Sequence, residues 1–108
     1  MDLARKKCVP CEGGVKPFSR KVAKNYAKLV SGWKLNGNKI QREFRFKNFL
    51  LAMKFVNNVA RIAQKEGHHP DILLYSWNHV RITTYTHAID GLSENDFILA
   101  AKIDGIDK

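Results

Sequence analysis

Apolar residues recur along this chain with two periods, one helical and one strictly alternating, and the switches between them divide it into elements. Residues 1–16 contain Pro10 and the Gly13-Gly14 pair, show neither period, and read as an irregular arm. Ser19 then stands where a helix N-cap would, and Val22, Tyr26, Leu29 and Val30 follow at helical spacing with Lys21, Lys24 and Lys28 on the outer side. Gly32 closes that helix. Trp33 and Leu35 alternate with Lys34, and Asn36-Gly37 is the dipeptide of a tight hairpin turn. Beyond it Ile40, Phe44 and Phe46 alternate with Gln41, Glu43 and Arg45, a strand with one face toward a core.

Asn48 caps a long second helix. Its predicted buried face is Phe49, Met53, Val56, Ala60 and Ala63, widened by Phe55, Val59 and Ile62. Ile72–Tyr75 is a short apolar strand, Asn78 marks a turn, and Val80, Ile82, Thr84 and Thr86 alternate with Arg81, Thr83, Tyr85 and His87 in a further strand. Ser93-Glu94-Asn95-Asp96 approximates a capping box and opens a helix with Phe97, Ile98, Ala100, Ala101 and Ile103. The order α-β-β-α-β-β-α predicts an α+β fold, a four-stranded antiparallel sheet with helices packed on one face. The Phe44–Phe46 and Ile72–Tyr75 strands are expected to leave sheet edges that favour pairing between copies.

Composition narrows the classes. The 108 residues suit one domain, 17–108, after the arm 1–16. No apolar run approaches the ~18 residues of a membrane span. Basic residues near the start have no apolar stretch behind them, so no secretory signal is visible and a cytoplasmic protein is expected. Two cysteines, Cys8 and Cys11, cannot build a disulfide framework. Their C-x-x-C spacing invites a metal reading, but the adjacent His68-His69 lacks the spacing two zinc-binding histidines need, so neither metal nor cofactor is expected. Residues 1–50 carry 13 Lys/Arg against 3 Asp/Glu, and residues 51–108 carry 6 against 7. That asymmetry is read as a solvated basic face rather than a nucleic-acid surface.

The candidate chemistry sits at Gly67-His68-His69-Pro70-Asp71. Gly67 ends the second helix in the left-handed conformation, and Pro70 keeps it from restarting. Two imidazoles, the side chains that exchange protons near neutral pH, are thereby held at a corner. His87 is expected at the far end of the last strand, and the three histidines are expected to converge on one small-molecule pocket. His79 reads as a strand-surface residue.

Glu66-Gly67-His68-His69-Pro70-Asp71, Trp77-Asn78, Thr86-His87 and Gly91-Leu92-Ser93-Glu94-Asn95-Asp96-Phe97 together resemble the pterin-4a-carbinolamine dehydratases. Cys11-Glu12-Gly13-Gly14, Gly32-Trp33 and Phe44-Arg45-Phe46 extend the resemblance over most of the chain. One departure is the spacing after Pro70, since some members place a tryptophan closer to the histidines than Trp77 stands here. The resemblance implies a hydro-lyase that dehydrates 4a-hydroxytetrahydrobiopterin to quinonoid dihydrobiopterin, recycling the cofactor of aromatic amino acid hydroxylases. It implies His68, His69 and His87 as the catalytic residues, with His68 and His87 the proton-transfer pair and His69 holding and activating the pterin, and Asp96 as the supporting carboxylate. Pro70, Trp77, Tyr85, Thr86 and Trp33 would line the site. It further implies a homodimer or homotetramer. The alternative is a non-catalytic dimerisation cofactor of a transcription factor, acting through a helical surface, or a basic nucleic-acid-binding module.

Overall fold

A computed structural model describes residues 2–9 and 16–107. After a 3₁₀ turn, Leu3–Arg5, come α1 (Arg20–Ala27), β1 (Lys34–Asn36), β2 (Lys39–Arg45), α2 (Phe49–Glu66), β3 (Asp71–Tyr75) and β4 (His79–Thr84). A second 3₁₀ turn, His87–Ile89, leads to α3 (Glu94–Asp104). The strands form one antiparallel sheet in the order β1-β2-β4-β3, so the α-β-β-α-β-β-α reading matches the architecture. The edges are β1 and β3; β2, with Phe44, is interior and pairs with β4 from Ile40↔Thr84 to Arg45↔His79, which corrects the expected edge at Phe44–Phe46.

The capping residues do what their chemistry predicts. Ser19 Oγ accepts from Val22 N at 3.2 Å, and Asn48 Oδ1 accepts from Leu51 N at 2.9 Å, each satisfying an amide that the first helical turn leaves without a partner. The β1–β2 hairpin is centred one residue later than the dipeptide suggested. Asn36 pairs with Lys39, so Gly37 and Asn38 are the central pair, and only Gly37 has positive φ, +62°. Those signs fit a II′ rather than an I′ turn.

Both helices bury faces other than those the apolar spacing predicts. On α1 the core takes Ala23, followed by Val30, while Val22 and Leu29 are exposed. The helix ends at Ala27 rather than at Gly32. On α2 the buried set is Ala52, Phe55, Val59 and Ala63, and the expected Phe49, Met53 and Ala60 face outward. Two apolar stripes compete on this helix. The sheet receives the one whose alanines permit close approach and whose Phe55 ring meets Phe44 and Phe46, at centroid separations of 4.6 and 5.0 Å.

The core gathers Ile40, Val80 and Ile82 from the sheet, Phe55 and Val59 from α2, and Phe97, Ile98, Leu99 and Ile103 from α3. α3 is buried on almost every side because Leu3 and the Phe18–Tyr26–Phe97 ring cluster cover its outer face. Leu3 thus brings the opening segment into the same core.

Past Thr84 the chain leaves the sheet. Thr86 bridges Gly91 through N–H to O bonds of 2.8 and 3.4 Å, and His87 begins the 3₁₀ turn this bridge closes, not the strand end expected. A Cβ on Gly91 would stand 2.5 Å from Pro17 Cβ. Gly91→Ala is therefore expected to destabilise the fold by ~1–3 kcal/mol through overpacking, read by urea denaturation. Gly105→Ala, at φ −78° with its nearest neighbour at 3.4 Å, is the control expected to stay within about 0.5 kcal/mol.

Candidate active site

The corner at the end of α2 is built as its residues dictate. Gly67 adopts φ 65°, ψ 26°, and its N–H and that of His68 both return to the Ala63 carbonyl. The turn directs His68 inward, where it is buried, and leaves His69 exposed. His68 Nε2 lies 2.7 Å from Asp96 Oδ1.

Asp96 is completely buried in the first turn of α3. An isolated carboxylate there would be prohibitively costly. This one is surrounded by donors: besides His68, Thr84 Oγ1 donates to Oδ1 at 2.7 Å, and Thr86 Oγ1 and Ser93 N–H donate to Oδ2 at 2.8 and 3.0 Å. The positive end of the α3 dipole adds to the stabilisation. A carboxylate only accepts, so His68 gives its Nε2 proton to this bond and keeps Nδ1 as the nitrogen that can exchange another.

His68, His69 and His87 share a cleft of about 180 Å³ with Thr86, Val9 and Asn95. His87 is exposed, and its ring rests 4.2 Å from that of Tyr85, over which the Lys39 ammonium sits at 4.7 Å. His69 Nε2 lies 3.4 Å from Gln64 Oε1. Imidazoles at these positions, one oriented by a buried carboxylate and two open to solvent, can deliver protons to a small ligand in the cleft and remove them from it.

The remaining expected site residues divide. Thr86 lines the cleft and Pro70 adjoins His69, whereas Tyr85 packs behind His87 instead of lining the cavity. Trp77 is not part of the cleft. It is exposed at the β3–β4 hairpin tip, beyond a strand of five residues from the histidine corner, or roughly 17 Å at about 3.4 Å per residue. Trp33 also stands elsewhere, buried against Phe44 with Nε1 donating to Asp104 at 2.9 Å, at the far end of α3 from Asp96. His79 lies outside the cleft, its ring 5.2 Å from that of Tyr75.

The sequence places Thr84 in a strand and Ser93 and Asn95 at a helix start, but it predicts none of them, nor Val9, at the site. The inward alternation of β4 pointed to Thr84, but nothing local pointed to Val9. Burial, followed by the carboxylates of Glu66 and Asp96, pushes the neighbouring Cys8 thiol up to about 12, which keeps it protonated and a poor nucleophile. Cys11 lies outside the described residues. Among the described residues no group of three His, Cys, Asp or Glu side chains is placed to hold a metal ion, and no helix is long and apolar enough to cross a membrane.

The fold is an antiparallel α+β sandwich that gathers three imidazoles, side chains able to exchange protons near neutral pH, around one cleft, with a buried aspartate bonded to one of them. Residues 16–106 match the family model described as Pterin 4 alpha carbinolamine dehydratase, and the chain belongs to that family. A relative from Alkaliphilus metalliredigens that bears the family's name is 51% identical over 105 residues, 95% of this chain and 94% of its own length. Pterin-4-alpha-carbinolamine dehydratase 2, mitochondrial, of Arabidopsis thaliana is 49% identical over 107 residues, covering 94% of this chain and 57% of that protein. A solved structure from Brucella Melitensis, described as a transcriptional coactivator/pterin dehydratase, superposes with a TM-score of 0.76 at 30% identity, covering 82% of this chain and 96% of that one.

Proposed function

We propose that this protein is a hydro-lyase that converts 4a-hydroxytetrahydrobiopterin to quinonoid dihydrobiopterin and water, returning the pterin for reuse by aromatic amino acid hydroxylases. The observation that carries the reading is the His68–Asp96 pair opening onto a cleft shared with His69 and His87. In a carbinolamine the adjacent nitrogen's lone pair forms the new C=N bond as the C–OH bond breaks. The departing oxygen takes a proton from a general acid, and a general base removes the nitrogen's proton, so that one water leaves and no electrons change hands. His68 and His87 supply those two roles and His69 holds the ring. Positioned acid–base groups of this kind contribute ~10² to 10⁴-fold. The test is turnover of a 4a-hydroxytetrahydropterin by the purified protein, at a rate proportional to its concentration.

The protein is further read as a cytoplasmic homodimer or homotetramer. Support for assembly comes from α2, which leaves Phe49, Leu50, Leu51 and Met53 exposed, and from Leu73 on the edge strand β3. Light scattering at micromolar concentration is expected to give a multiple of the 12.4 kDa chain mass, and a strictly monomeric mass would contradict it. The same apolar helical surface favours a second reading, as a non-catalytic dimerisation cofactor of a transcription factor, and the Brucella protein is described as a transcriptional coactivator as well as a pterin dehydratase. Nucleic-acid binding by the basic half is expected to be weak, non-specific and steeply salt-dependent.

A further inference from the structure

One wall of the histidine cleft comes from neither the sheet nor the helices but from Val9, in the opening segment. Val9 is 66% exposed, yet its backbone is held at both ends. Its N–H donates to Asn95 Oδ1 at 3.0 Å, and its carbonyl accepts from Asn95 Nδ2 at 2.6 Å. Asn95 itself is only 4% exposed. A buried amide that commits both its groups to one exposed residue fixes that residue as firmly as a rung of a β-ladder would. The preceding residue is fastened too, since Cys8 N–H donates to Glu66 Oε1 at 2.9 Å. Farther back, Lys102 Nζ donates to the Ala4 carbonyl at 2.7 Å and Leu3 is buried in the core.

The two clamps adjoin the site in sequence. Glu66 directly precedes Gly67-His68, and Asn95 directly precedes Asp96. The elements that carry the His68–Asp96 pair therefore also carry the residues that seat Val9 beside it. The segment 2–9 lies outside residues 16–106, where the family model matches.

We propose that residues 2–9 form part of the substrate site, with Val9 an apolar wall for one face of the pterin ring and Asn95 and Glu66 positioning residues that hold it there. The inference rests on the reading that the cleft takes a pterin. It explains why the backbone of an exposed valine is tied down: an ordered wall has little freedom left to lose when a ligand arrives.

The experiment pairs Asn95→Ala, which removes both clamp bonds, with Val9→Ala, which removes only the exposed side chain. Each is measured for kcat, KM, affinity for biopterin by fluorescence titration, and iodoacetamide alkylation of Cys8, resolved from Cys11 by peptide mass spectrometry. For Val9→Ala, KM and the biopterin Kd are expected to rise about fivefold to tenfold, with kcat within about twofold. Cys8 should stay as slow to alkylate as in the wild type. For Asn95→Ala, both constants should rise about tenfold, and Cys8 should alkylate about tenfold faster as the segment loosens. The inference is overturned if Val9→Ala leaves KM and Kd at wild-type values. Wild-type protein that binds biopterin, weakened by Val9→Ala, but shows no turnover would instead overturn the dehydratase reading and leave the wall standing.

Discussion

Asp96→Ala should be the most damaging single substitution in this protein, costing about 3–5 kcal/mol of folding stability. The reason is what remains behind. His68 Nε2, Thr84 Oγ1, Thr86 Oγ1 and Ser93 N–H all converge on this carboxylate, and alanine leaves those polar groups in a site that is closed to solvent. Each ~1 kcal/mol lowers the melting temperature of a domain near this size by about 4–8 °C, so a drop of more than roughly 12 °C is expected in calorimetry. Asp96→Asn keeps the shape but puts an amide NH₂ among donors. It should fold with a smaller stability loss and still lose most turnover, because His68 no longer faces a carboxylate. Wild-type activity in Asp96→Asn would show that the carboxylate serves the fold alone.

The second large effect concerns the imidazoles. His68→Ala or His87→Ala alone should lower kcat by ~10² to 10⁴-fold with little change in KM, because a leaving hydroxyl requires its proton only as the bond breaks. The double variant should lose less than the product of the two single losses, as groups acting on one step are not additive. His69→Ala should raise KM and lower kcat together, since it is expected to touch the ring and to take part in the chemistry. His68→Ala also strips a partner from buried Asp96, so its melting temperature is measured alongside to separate folding from catalysis. These outcomes are read from steady-state kinetics on a 4a-hydroxytetrahydropterin.

Local chemistry was legible in the sequence where a short motif decides the outcome by itself. Gly67 with Pro70 set the corner, Asn48 and Ser19 set helix starts, and alternation in β2 and β4 set the sheet. The choice between two apolar stripes on α2 was not legible, because it depends on which stripe the Phe44 and Phe46 rings can meet. The alternation continues through Thr84–His87 and so predicts His87 on a strand. The Thr86–Gly91 bridge, a contact across the following turn, is what takes it off the strand. Only the family resemblance points Trp77 to the cleft, whereas a strand that starts at Asp71 carries its far end away from the histidines. Val9 and Asn95 are 86 positions apart and meet only in the folded chain, so no spacing rule could have joined them. Asp96 was legible as a cap, whereas its second role, behind His68, depends on where α3 packs.

The most direct test of the central claim is the dehydration rate of 4a-hydroxytetrahydrobiopterin under the wild-type protein, His68→Ala/His87→Ala and His79→Ala, measured side by side. The account predicts that wild type and His79→Ala turn over alike, since His79 stands outside the cleft, and that the double variant falls by at least ~10²-fold while remaining folded. A double variant that keeps the wild-type rate, or a His79→Ala variant that loses it, would place the chemistry somewhere other than this cleft.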